Sequence, residues 1–251
     1  MKLHFVIPAL DERGNLEALG ERLRDAVARC GRDADVILVD DGSTDGTGEA
    51  APAAFAPLNV RVVTHPRNLG IAAAFRSGFS ACIDVAAPDD YVVTLEADNT
   101  SDIALLPELV RRADAGADLV LGSCYAPGGG IEGTTLRRVV LSGSANTMVK
   151  LWFGLWRLHT FSSFYRVYRV RSLREVFAAS GGDPMRESGF SSVVELLARI
   201  HAMGHRVEEV PVVLHSARRV GKSKMRIMRT IGGYFRVMWI LGPGACRVRG
   251  R

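Results

Sequence analysis

The stretch VTLEADNTSD, residues 93–102, runs from apolar residues into two carboxylates, Glu96 and Asp98, one alanine apart. On an extended backbone, positions i and i+2 point to the same side. Two carboxylates there repel each other unless a cation lies between them. Their oxygens suit a hard divalent ion, Mg²⁺ or Mn²⁺, which takes one or two carboxylates and fills its remaining positions with water and substrate phosphates. Such an ion stabilises a departing nucleoside diphosphate. The plainer reading is that Asp98 or Asp102 caps a helix expected from Ile103.

Two further stretches carry chemistry. VDDGSTDGT, residues 39–47, places Asp40 and Asp41 at the end of an apolar run, before a turn of small residues. Carboxylates there can accept from ribose hydroxyls or base N–H groups, and glycines let the backbone approach a ligand closely. The alternative is an Asp-rich turn with Ser43 or Thr44 as the N-cap of the next helix. RRVGKSKMRIMR, residues 218–229, has six basic residues in twelve, broken by Gly and Ser. It predicts a phosphate-binding turn leading into a helix. No aromatic stacking pattern accompanies it, so nucleic acid is not the expected partner.

The elements that must position these residues follow from periodicity. LHFVI (3–7), VILVD (36–40), VRVVTH (60–65), YVVTLEAD (91–98) and DLVLG (118–122) read as strands. Leu16, Leu19, Leu23, Val27 and Cys30 recur at helical spacing before Gly31. Helices are expected over 70–85, 103–115, 136–154 and 189–203, and a strand over 206–215. Strands alternating with helices predict a mostly parallel sheet with ligands beyond the carboxyl ends of its strands, where Asp40, Asp41, Glu96 and Asp98 fall. The Gly-rich segment 126–135 reads as a mobile loop.

Charge is unevenly spread. The first 209 residues hold 22 Lys/Arg against 27 Asp/Glu, and the last 42 hold ten Lys/Arg and no acid. The apolar stretch 227–241 falls short of the roughly 20 residues that span a bilayer. It suits an interfacial helix or one packed on the body. The division expected is a catalytic domain over 1–215 and a basic turn with an amphipathic segment over 216–251. Four scattered cysteines, with no CxxC, argue against a disulfide framework or zinc site. The opening KLHFVIP shows no signal-like stretch, and the expected location is cytoplasmic.

Taken together, the motifs resemble the family-2 glycosyltransferases of the GT-A fold, and among them the dolichyl-phosphate mannosyltransferases and polyprenyl-phosphate hexosyltransferases. VIPALDERGNL resembles the family's VIPAYNEEENL. VDDGSTDGT matches its nucleotide motif, and HPRNLGIAAAFRSGF its N-x-G-x-x-x-A-x-x-x-G segment. LEADN stands where the family has MDADL, and EVPVVLHSARRVGKSKM matches EVP…R-x-x-G-x-S-K. The departures are Leu10 for the motif's Tyr, Glu96 for its first Asp, Thr100 for Gln, Cys124 for Arg and Thr160 for Asp in TFSSFYR.

The resemblance implies a Rossmann-like α/β domain with a mostly parallel sheet flanked by helices and a basic interfacial tail. It implies an inverting, Mg²⁺- or Mn²⁺-dependent hexosyltransferase using a GDP- or UDP-linked sugar and a polyprenyl or dolichyl monophosphate. Donor contacts would come from Pro8, Glu12, Asp40, Asp41, Asn68, Gly70 and Glu96, with Glu96 and Asp98 at the metal. Arg218 and Lys224 would act with Asp98 in catalysis. Arg137, Arg138, Ser142 and Ser223 would hold the acceptor phosphate. The protein would sit peripherally at the cytoplasmic face of an anionic membrane, with Ile231, Phe235, Met238 and Trp239 at the lipid and Arg229 and Arg236 near headgroups. A homodimer is left open. The rival readings are a transferase for a soluble hydroxylated acceptor, which needs a general base that Thr160 does not supply, and a non-catalytic nucleotide-sugar-binding module.

Overall fold

The computed structural model describes the backbone of residues 1–133, 135–219 and 227–243, and the side chains of all these except 136–139 and 227–229. Its centre is a seven-stranded sheet. In chain order the strands are β1 (Leu3–Ala9), β2 (Ala34–Asp40), β3 (Asn59–Thr64), β4 (Tyr91–Thr94), β5 (Leu119–Ser123), β7 (Arg166–Arg169) and β8 (Val207–Pro211). Their spatial order is β3-β2-β1-β4-β7-β5-β8. All neighbours are parallel except β7, which runs antiparallel to both β4 and β5. Every residue of β1 is buried, as the apolar run LHFVIPA predicts for a strand covered on both faces. A separate parallel pair joins β6 (Gly130–Glu132) to β9 (Val213–His215).

Helices close both faces. α1 (Arg13–Cys30), α2 (Thr47–Ala54) and α4 (Leu106–Asp114) pack one side around Leu16, Leu19, Leu23, Phe55 and Leu109. α1 ends as expected at Gly31, whose φ of 61° suits a residue without Cβ. α3 (Ile71–Ile83), α5 (Leu136–Phe153), α6 (Val170–Ala179), α7 (Ser192–Ala202) and α8 (Ile227–Leu241) cover the other side. There Phe75 stacks on Phe164 with ring centroids 5.2 Å apart.

The structure departs from the sequence reading in informative places. β4 stops at Thr94, so Glu96 and Asp98 lie on a turn and not on the strand. The strand expected over 206–215 is two strands interrupted at Val212. The 126–135 loop contains β6. β7 and α6 carry no clear local signal: RVYR looks polar, yet Arg166 is wholly buried. α8 has the expected bounds, and Tyr234, Val237 and Met238 are buried in the core that also holds α7. Met238 therefore cannot face lipid. Phe235 and Trp239 can, with exposures of 57% and 88%. Arg236 is tied to the body by Glu187, 3.1 Å away. Among the described residues, no helix is long and apolar enough to cross a membrane.

Candidate active site

A cavity of about 390 Å³ opens beyond the carboxyl ends of β1, β2 and β4. Pro8, Glu12, Asp41, Asn68, Gly70, Glu96, Asp98 and Ser142 of α5 all line it. These eight sequence-predicted residues converge from segments far apart in the chain.

The first two strand ends are stitched together. Asp11 Oδ1 accepts from Thr44 N at 2.8 Å, Ser43 Oγ accepts from Asp11 N at 2.9 Å, and Thr47 Oγ1 accepts from Glu12 N at 2.9 Å. Neither Ser43 nor Thr44 caps a helix: α2 begins at Thr47 behind Gly46, without a side-chain cap. Asp40 and Asp41 part company here. Asp40 does not line the cavity; its Oδ1 accepts from Ser43 N at 2.9 Å, which makes it a brace for the turn and corrects the expectation of a donor contact. Asp41 lines the cavity, yet its oxygens also serve the protein. Oδ1 accepts from Leu69 N at 2.9 Å and from His65 Nδ1 at 2.7 Å, and Oδ2 from Gly70 N at 2.8 Å. A carboxylate only accepts, so His65 carries a proton on Nδ1, and its Nε2 shares a hydrogen bond with the Ser77 hydroxyl 2.9 Å away. Gly42, at φ 78°, has to be glycine, since a Cβ would lie 2.5 Å from the carbonyl carbon of Arg67.

The carboxylate pair sits on the neighbouring turn. Asp98 Oδ1 accepts from Thr100 N and Thr100 Oγ1 at 3.1 and 2.7 Å. Its Oδ2 accepts from Arg219 Nε at 2.8 Å and from Nη2 of the same guanidinium. Glu96 opens onto the cavity but lies deep within the fold. Burial first, and then the charge of Asp98, push its carboxyl up to about 8, against the pull of Arg219. Asn99, directly after Asp98, is left-handed at φ 63°, and Arg22 Nη1 donates to its carbonyl at 3.0 Å while Nη2 donates to Ser101 O at 2.7 Å. Helix capping does not explain these acids: Asp102 precedes the 3-10 turn Ile103–Leu105 but makes no side-chain cap. Among the described residues, no group of three or more His, Cys, Asp or Glu is arranged to hold a metal. The pair of carboxylates on an open cavity, already facing a cation, fits an ion that draws its other ligands from water and phosphate.

The far wall is organised by residues that local sequence did not single out. Ser123 and Thr160 share a hydrogen bond of 2.7 Å. Glu209, of the EVP motif, accepts from Thr160 N at 2.8 Å and from His159 N at 2.9 Å. The buried Arg166 guanidinium donates to Ser163 O at 2.6 Å, Phe161 O at 2.7 Å and Val193 O at 2.9 Å, which fixes the Ser163–Phe164 edge of the cavity. Its place at the end of TFSSFYR was the available signal. Arg218, the arginine at the motif position, is exposed and does not line the cavity; Arg219 does. Arg137 and Arg138 belong to the first turn of α5, whose side chains there are not described, and Ser223 and Lys224 lie outside the described residues.

The chain is similar to known proteins in sequence and in fold. The chain is 34% identical over 224 residues to a polyprenol monophosphomannose synthase of Mycolicibacterium smegmatis, covering 88% of this chain and 79% of that one. It is 32% identical over 226 residues to an undecaprenyl-phosphate mannosyltransferase of Micrococcus luteus, covering 90% and 88%. In three dimensions it matches glucosyl-3-phosphoglycerate synthase from Mycobacterium tuberculosis, solved with Mn²⁺, UDP and glucosyl-3-phosphoglycerate. The TM-score is 0.63 at 19% identity, covering 99% of this chain and 81% of that one, a likeness of fold alone. The expected GT-A architecture is the one observed. The sequence pattern of Glycosyl transferase family 2 spans residues 4–177, more than half of the chain, and this protein belongs to that family of glycosyltransferases.

Proposed function

We propose that the protein transfers a hexose from a nucleotide sugar to the phosphate of a polyprenyl monophosphate, with inversion at the anomeric carbon. An acceptor phosphate oxygen attacks that carbon as its bond to the donor diphosphate breaks, and the nucleoside diphosphate leaves. A phosphate monoester is largely anionic near neutral pH, so the reaction needs no base at Thr160. Pro8, Glu12, Asn68 and Gly70 would frame the nucleotide, and Asp41 would act by holding the backbone of Leu69 and Gly70. Glu96 and Asp98 would hold Mg²⁺ or Mn²⁺, which when bound supplies positive charge to the leaving diphosphate. Ser142, which lines the cavity, would hold the acceptor phosphate together with Arg137 and Arg138. Ser223 and Lys224 keep their proposed phosphate roles from the motif, and the exposed Arg218, which does not line the cavity, gives its place there to Arg219.

The observation that carries this reading is the meeting, in one cavity, of the nucleotide-motif residues with a carboxylate pair and a cation, in a chain whose relatives along about nine-tenths of its length are named for polyprenyl-phosphate mannosylation. A lipid acceptor calls for a membrane surface. All three tryptophans are exposed: Trp152 at the end of α5, Trp156 just beyond it, and Trp239 on α8, which packs beside α5. With the acid-free C-terminal charge, this suits peripheral binding to anionic lipid.

The test is transfer of labelled sugar from GDP-mannose, UDP-glucose and their epimers to polyprenyl phosphate, with 3-phosphoglycerate and a free sugar as competing acceptors. Lipid-linked product that requires Mn²⁺ or Mg²⁺ is expected, with Asp98→Asn lowering turnover by about a hundredfold or more while the fold persists. Transfer only to a soluble acceptor, or full activity of Asp98→Asn in excess EDTA, refutes the assignment.

A further inference from the structure

We propose that Arg219 is a built-in counter-cation of Asp98, which a divalent ion must displace and which the donor's diphosphate then receives. The inference rests on the reading that Glu96 and Asp98 hold the ion, and it adds a role for a residue at a variable position of the R-x-x-G-x-S-K motif.

The hydrogen bonds around Asp98 carry the argument. Oδ1 is satisfied by Thr100, through both its backbone N–H and its hydroxyl. Oδ2, the remaining oxygen, accepts twice from Arg219, through Nε at 2.8 Å and through Nη2. Asp98 is buried and Arg219 has only 21% of its side chain exposed, so this is a shielded, two-pronged ion pair. The guanidinium also faces the charges of Glu96 and Glu12. It is thus the positive charge set against this acidic wall, in contact with Asp98. A metal ion bound to Asp98 needs the same oxygen. Two cations cannot share it at contact distance, so ion and guanidinium compete.

Arg219 also has somewhere to go. It follows directly on the 3-10 turn Ser216–Arg218 and lines the same cavity as the nucleotide-motif residues. A displaced guanidinium there meets the one new anion that arrives with the metal, the donor's diphosphate, and can clamp it with paired N–H donors. Two consequences follow. Without nucleotide, the ion binds against a competitor and is held weakly. With nucleotide, Arg219 gains a second partner, so metal and nucleotide bind cooperatively, each raising the other's affinity by the same factor.

The experiment counts free Mn²⁺ by electron paramagnetic resonance in titrations of the full chain, with no sugar acceptor, with and without GDP or UDP. Arg219→Gln should bind Mn²⁺ about tenfold more tightly than wild type when nucleotide is absent, the order expected from losing one charge-assisted competitor. At saturating Mn²⁺ it should bind the nucleoside diphosphate about tenfold more weakly, and the cooperativity should shrink accordingly. Equal or weaker Mn²⁺ affinity in Arg219→Gln, while Asp98→Asn loses Mn²⁺, means that Arg219 supports the site instead of competing for it. That result overturns the proposal and leaves the metal assignment standing. If Asp98→Asn binds Mn²⁺ as wild type does, the metal assignment falls and the proposal falls with it. Should Arg219→Gln fail to fold, Arg219→Lys decides: it keeps the charge but gives up the paired contact, so tighter Mn²⁺ supports the proposal and unchanged or weaker Mn²⁺ overturns it.

Discussion

Replacing Asp41 with asparagine exchanges one carboxylate oxygen for an NH₂ group and removes the charge. In the folded protein Asp41 is buried and accepts from three donors: Leu69 N, Gly70 N and His65 Nδ1. An amide oxygen can keep the two bonds made at Oδ1. Its NH₂ then faces the Gly70 N–H, and two donors meet head-on. One charge-assisted bond is lost and a shielded N–H is left without a partner, at a cost of about 2–3 kcal/mol. In a chain of this size each kcal/mol lowers the melting temperature by about 2–4 °C, so a fall of about 4–12 °C is expected. Gly70 sits at the start of α3, at φ 94°, and lines the cavity together with Asn68. The same change should therefore raise the donor KM more than it lowers kcat. The assay pairs scanning calorimetry with nucleotide titration. An Asp41→Asn protein that melts like wild type yet no longer binds nucleotide refutes the reasoning, because Asp41 would then contact the ligand and not the loop.

Two further outcomes separate the outer face of α8 from its inner one and test the cavity's thiol. Trp239→Ala and Phe235→Ala should weaken binding to anionic vesicles, in a salt-sensitive manner, without lowering thermal stability; Met238→Ala, buried at 4% exposure, should cost about 2–5 kcal/mol instead. Vesicle binding unchanged in the double Phe235/Trp239 variant would remove the membrane role of this helix. Burial pushes the Cys124 thiol up to about 11, so at pH 8 about one thiol in a thousand is ionised, and peptide-resolved alkylation should keep accelerating between pH 8 and 10. A rate that levels off near pH 9 would show an ordinary thiol.

Alternation of apolar runs with 3.6-residue patterns was enough to predict strands covered on both faces, helices between them and a mostly parallel sheet, because periodicity is a local property of the chain. The turn chemistry of VDDGSTDGT and the acids of LEADN were legible for the same reason, and both lie at strand ends where such sheets bind ligands. Roles that depend on distant partners were not legible. Asp40 and Asp41 are adjacent and chemically identical, yet one braces Ser43 while the other holds His65 and the Leu69–Gly70 backbone. Arg218 and Arg219 are likewise adjacent, and the motif favoured the first. Only the packing of the Ser216–Arg218 turn against the Asp98 turn, 121 residues away in sequence, turns the second into the cavity. β7 escaped notice because a buried arginine satisfied by three backbone carbonyls looks, in sequence, like a solvent-facing one. Side-chain direction on irregular backbone changes with each residue and is set by whatever packs against it, which is why tertiary structure alone decided these assignments.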